Sequence, residues 1–179
     1  MAPPLRKLVL TTHLVASVGW FGAALSYVAL GVAATNTHDS QLVRASWTAM
    51  ELTGWFVIVP LAMAALLTGL ALALGTGWGL LQHYWVAISL GLTILAATIT
   101  VLHMPSVTSQ ATFVRSASDG ELAGGLGGDL FHPSIGVLVL LVITVLNVYK
   151  PSGRTGVGRR ERFGPPRKRS EQPTARLPE

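Results

Sequence analysis

The chain has 179 residues, of which 50% are hydrophobic and only 12% charged, with a mean hydropathy of +0.52. Soluble domains carry roughly 25% charged residues, so an ordinary soluble domain is excluded and one membrane domain is expected. The absence of Cys excludes disulfides and thiolate metal sites. The net charge of +5 lies in the tail, where nine Lys/Arg stand against three Glu from Lys150 onward. Basic residues gathered in a tail, not on a folded surface, argue against a nucleic-acid partner.

Met1 to Lys7 is a short polar start containing Arg6 and Lys7, and Leu8 to His38 carries no formal charge. This predicts a first helix over about 8–34. The run exceeds the 7–15 apolar residues of a signal sequence, so it reads as a membrane span. His13, Ala16, Trp20, Ala23 and Tyr27 form a stripe at helical spacing. Gly19/Ala23 and Gly22/Ser26 are pairs of small residues suited to close helix packing. Thr35 to Ser46 reads as a polar loop.

From Leu52 to Val114 there is no Asp, Glu, Lys or Arg. One crossing takes about 20 residues, so this stretch holds two crossings and the hairpin between them. The second helix is expected over about 47–74, kinked at Pro60. The hairpin is expected at Gly75-Thr76-Gly77-Trp78-Gly79, with Trp78 at the interface. The third helix is expected over about 81–104, stopping before Pro105. Residues 105–131, with the glycine run 124–128, read as a flexible connector. The fourth helix is expected over about 133–149, with Pro133 in its first turn. The tail 151–179 reads as a disordered basic segment.

The distribution of basic residues orients the chain. Arg6, Lys7 and the tail would lie in the cytoplasm, with only Arg44 and Arg115 outside. The expected architecture is therefore an all-α, integral membrane four-helix bundle, N-in and C-in, in a bacterial cytoplasmic membrane.

Ionisable groups at the edges of membrane helices are costly and mark sites. On this topology Glu51, His103 and His132 share one membrane level on three helices. A carboxylate and two imidazoles could hold zinc, copper or iron, and His38 and Asp39 in the first outer loop could join them. Ser89, Thr93, Thr100 and His103 fall within an arc of about 80° at about 100° per residue, a polar stripe that turns His103 inward. His13 near the inner face pairs in depth with His83, and the two could ligate haem b. The same wheel turns His83 about 160° from His103 and away from the bundle. No nucleophile-and-base pattern or nucleotide loop is present, which leaves enzymatic activity unassigned.

Arg6-Lys7-Leu8, His13-Leu14-Val15-Ala16-Ser17-Val18-Gly19-Trp20-Phe21-Gly22, Met50 to Pro60 and His83-Tyr84-Trp85 together resemble an uncharacterised family of bacterial four-helix membrane proteins. The first helix is also similar to that of CopD-like copper-resistance proteins and HemJ-type protoporphyrinogen oxidases. That similarity implies a haem or metal role for His13. In the HemJ type a lysine follows the third-helix tryptophan, whereas here Trp85 is followed by Val86-Ala87-Ile88.

The expected function is binding of haem or a transition-metal ion through bundle histidines, in a redox or metal-handling role. The rival readings are a cofactor-free structural subunit of a membrane complex and an oligomeric small-solute carrier. The expected partners are the lipid bilayer, anionic headgroups meeting the basic tail, and a second copy or a membrane complex.

Overall fold

The computed structural model describes residues 1–75, 84–123 and 129–149. The expected hairpin turn at 76–79, His83, the glycine run 124–128 and the tail lie outside the described residues. The elements are α1 (Pro3–Thr35), α2 (Ser40–Thr53), a π-helical turn (Gly54–Ile58), α3 (Val59–Gly75), α4 (Tyr84–Ser116), α5 (Asp119–Ala123) and α6 (Phe131–Tyr149). Among the described residues every element is helical, and four helices are long and apolar enough to cross a membrane: α1, the continuous run Ser40–Gly75, α4 and α6. This is the make-up of a multi-pass membrane protein.

Each helix begins for a local reason. Prolines at the first two positions of α1 place its start at Pro3, before the expected Leu8, because a missing N–H costs nothing there. Asp39 caps α2 by accepting the Gln41 N–H at 2.9 Å, so this helix starts at Ser40 and not at Trp47. The break expected at Pro60 is a π turn just before it, closed by the Val59 N–H on the Gly54 carbonyl. The wider turn relieves the clash of the proline ring with the preceding turn of helix.

The third helix departs most from expectation. It continues through Pro105 to Ser116. An interior proline costs about 3 kcal/mol or more, but the residues beyond it bury a face that offsets this. Met104, Val107, Ala111 and Val114 are all buried, as are Val43, Trp47 and Met50 on α2, and α2 packs against α4.

Helix lengths locate this second core. The 19 residues of α6 make about 28 Å, close to the ~30 Å of bilayer hydrocarbon. The 33 residues of α1 and α4 make about 50 Å each. Tyr84 to His103 alone spans about 28 Å, so α4 beyond Pro105, which packs with α2, is a projection longer than one crossing needs.

Polar contacts tie this projection together. Arg44 donates to the Asp119 carboxylate at 2.7 Å and to the Ala117 carbonyl at 2.6 Å. Arg115 donates to Glu51 at 2.6 Å and to Thr112 Oγ1 at 3.1 Å. Trp55 Nε1 donates to Thr108 Oγ1 at 3.0 Å. The Glu121 carboxylate accepts from the Ser118 backbone and hydroxyl at 2.8 and 2.7 Å, a capping arrangement that starts α5. Hydrogen bonds from Arg44 and then Ser40 hold the Asp119 carboxyl below its ordinary range, and those from Ser118 do the same for Glu121.

Among the long helices α1 packs on α3, α3 on α4, α4 on α6 and α6 on α1, so the contacts close in a ring. The inward face of α1 is Ala16, Trp20, Ala24, Tyr27, Gly31 and Ala34. This is the stripe read from the sequence, shifted from Ala23 to Ala24 in the middle.

Candidate metal centre and adjoining cavity

His103 of α4 and His132 in the first turn of α6 meet Asp129, which stands just before α6. Their ligand atoms all lie within 4.8 Å of one another. One carboxylate oxygen of Asp129 contacts His103 Nε2, and the other lies 3.5 Å from His132 Nδ1. The two imidazoles stack with ring centroids 4.2 Å apart and planes inclined by 25°.

The sequence explains each position. His103 closes the polar stripe of α4, and of that stripe Thr100 and His103 reach the interior cavity. His132 is in the first turn of α6, and Asp129 stands three residues before it. Gly31 on α1 lets the Asp129 segment come close. An added Cβ there would sit 3.0 Å from the Asp129 carbonyl oxygen and from Leu130 Cδ2, so a larger residue would push the carboxylate segment away.

Two imidazole nitrogens and a carboxylate form a donor set for zinc or another first-row metal, with a fourth position open to water or substrate. Around a tetrahedral ion with bonds of about 2.0–2.1 Å, donors stand roughly 3.3 Å apart. The observed spread of up to 4.8 Å therefore needs a closing movement of about 1.5 Å to reach that separation, within reach of side-chain rotation. Asp129 bridges nitrogens of the two stacked rings, offering one oxygen to each.

The structure brings His103 and His132 together, with Asp129 as the carboxylate. Glu51 stands elsewhere, bound to Arg115. Asp39 caps α2, and neither it nor His38 belongs to the group. Sequence reasoning passed over Asp129 as a connector residue. Its signal is the Asp-x-x-His spacing at the start of a helix, which puts both side chains on one face.

His13 lies deeper, on the opposite part of α1. Its Nδ1 is 3.0 Å from the Ala65 carbonyl and 3.1 Å from Thr68 Oγ1. A carbonyl only accepts, and the Thr68 hydroxyl donates to Ala64 at 2.5 Å, so His13 Nδ1 carries the proton. Nε2 then holds the lone pair, which is how second-sphere bonds prepare a histidine ligand. Its expected partner His83 is among the residues not described.

A cavity of about 280 Å³ runs inward from His103, Asp129 and His132, between α1, the π turn, α4 and α6. The π turn contributes Ile58, and Trp20 and Tyr27 of α1 form another wall. Tyr27 is 4% exposed, and its buried hydroxyl has no hydrogen-bond partner among the described residues. A hydroxyl left unpaired in an apolar site costs on the order of 1–3 kcal/mol.

These features define, among the described residues, an all-helical fold with four membrane-length helices and a His-Asp-His group at one end of a half-open cavity. No protein-family model, curated protein or solved structure matches the chain.

Proposed function

We propose that this protein is a multi-pass four-helix bundle of the cytoplasmic membrane that binds a first-row transition-metal ion through His103, Asp129 and His132, in a metal-handling or redox role. The observation that carries the reading is the convergence of two imidazoles and a carboxylate within 4.8 Å, two of them on different membrane-length helices. Exposed acidic clusters are common without a metal. Here, by contrast, the Asp129 side chain is only 11% exposed and faces two imidazoles. Buried charge of this kind is retained where it has a partner or an ion.

The proposed topology puts both termini and the basic tail in the cytoplasm and the metal group at the outer face. This topology leaves two basic residues, Arg44 and Arg115, on the outer side against Arg6, Lys7 and the nine of the tail on the inner side, the bias the positive-inside rule requires. The tail would then meet anionic headgroups of the inner leaflet.

The test is metal analysis of the protein purified in detergent, beside His103→Ala and His132→Ala. The reading requires about one ion per chain, lost in both variants. A cofactor-free interaction subunit or a solute carrier without a bound ion would instead be metal-free in all three.

A haem reading of His13 is favoured by one separate observation, the fixed Nδ1–H that leaves Nε2 as the ligand nitrogen. It requires a Soret band that His13→Ala removes and His103→Ala leaves in place.

A further inference from the structure

The metal group accounts for the outer end of the cavity but not for the cavity itself. About 280 Å³ of space lies among four membrane helices. An apolar cavity of about 150 Å³ holds one benzene, so this one has room for roughly two fused rings. Gly136 on its α6 wall leaves more room, because an added Cβ there would meet nothing within 4 Å. The walls carry Trp20, Tyr27 and Phe131, with the two imidazoles at the end, so flat rings find faces and edges to pack against.

Polarity narrows the ligand further. Among the described residues the Tyr27 hydroxyl is buried without a hydrogen-bond partner, and the Tyr27 side chain lines this cavity, so a small turn of the side chain brings the hydroxyl to it. A phenol in that state is a donor awaiting an acceptor oxygen. Cationic ligands are disfavoured because the walls are apolar and the one carboxylate is already shared by two imidazoles. Anions are disfavoured because, among the described residues, no Lys or Arg lines the cavity.

We infer that the cavity binds an uncharged, flat molecule of about two rings that bears a carbonyl oxygen, a quinone or aromatic ketone, with the carbonyl accepting from the Tyr27 hydroxyl. The ligand reaches the site from the bilayer, where such molecules partition. Its binding stands on the cavity and on Tyr27 and does not require the metal. When both are bound, the ring system lies beside His103 and His132, which puts a hydrogen-bonding carbonyl compound next to the ion.

The probe is 1,4-naphthoquinone, measured by equilibrium dialysis against the full-length protein in detergent, with empty micelles as the blank. Absence of Cys removes thiol addition as a complication. Naphthalene serves as the matched ligand without oxygen. The expected result is saturable binding of one naphthoquinone per chain, with naphthalene weaker by about five- to tenfold, the worth of one hydrogen bond. Tyr27→Phe should weaken naphthoquinone by the same factor and leave naphthalene unchanged. Gly136→Leu should abolish binding of both while zinc binding, measured on the same preparation, is retained. Retained zinc also certifies that the Gly136→Leu chain is folded. Non-saturable uptake equal to the micelle blank would overturn the inference, as would unaltered binding in Gly136→Leu or equal weakening of both ligands by Tyr27→Phe. If naphthoquinone binds as described and zinc does not, the metal proposal fails and the cavity inference stands.

Discussion

Asp129→Asn separates the metal reading from an ordinary hydrogen-bonded cluster. The substitution keeps the shape of the side chain. It removes a full negative charge and turns one of the two oxygens into an NH2 group. In the native chain one oxygen meets His103 and the other lies 3.5 Å from His132, so Asn can serve only one ring as an acceptor. As a metal ligand an amide oxygen is much poorer than a carboxylate. Changing even the outer partners of metal ligands typically costs 10–100-fold in affinity, so a direct ligand should cost at least that, about 1.4–2.7 kcal/mol. The assay is zinc titration of detergent-solubilised protein against a chromophoric chelator. The matched control is Glu51→Gln. Glu51 belongs to the Arg115 pair, 2.6 Å from it, so its loss should leave zinc affinity within about twofold, while the exposed pair itself is worth only about 0–1 kcal/mol. Equal affinities of native and Asp129→Asn protein would refute the assignment of Asp129. A large loss in Glu51→Gln would return that carboxylate to the site.

Other outcomes follow from the same geometry. Met50 is fully buried between α2 and α4, so Met50→Ala should destabilise the projecting core by about 2–5 kcal/mol in detergent denaturation; a change below about 0.5 kcal/mol would mean that α4 does not pack there. The carboxyls of Asp119 and Glu121 are held below their ordinary range. Depressed folded values stabilise the deprotonated form, so protection of α5 against hydrogen exchange is complete at neutral pH. It should fall as pH drops from the ordinary carboxylate range through the depressed folded values. Asp119→Asn should reproduce the acid behaviour at pH 7, and pH-independent protection would contradict the Arg44 contact. Gly120→Cys adds a lone thiol at an exposed, uncrowded position in a chain without Cys. An impermeant maleimide should label it in intact cells, and labelling only after lysis would reverse the proposed orientation.

Much of this arrangement was readable beforehand, for physical reasons that also explain the misses. Membrane helices declare themselves by composition, so the four spans follow from where charge is missing, and the inward stripe of α1 follows from helical spacing. His103 and His132 follow from depth, because helix rise converts sequence position into height. The continuation of α4 past Pro105 was hidden because proline usually ends a helix. The counter-signal is the spacing of Val107, Ala111 and Val114, which marks a buried face. Glu51 shares an expected membrane level with the two histidines, and it borders the uncharged stretch. Arg115 borders the same stretch at its other end, and a hairpin of two antiparallel helices brings the two borders together. Asp129 was obscured by the adjacent glycines. What sequence could not supply was the cavity, since empty space depends on which side chains face one another across helices far apart in the chain.

The central claim is tested most directly by X-ray absorption at the zinc edge on the purified, zinc-loaded protein. The account predicts one ion per chain with a mixed shell of two imidazole nitrogens and oxygen at about 2.0–2.2 Å, and loss of one imidazole from that shell in His132→Ala. A purely oxygen shell, or an identical spectrum in His132→Ala, would contradict it.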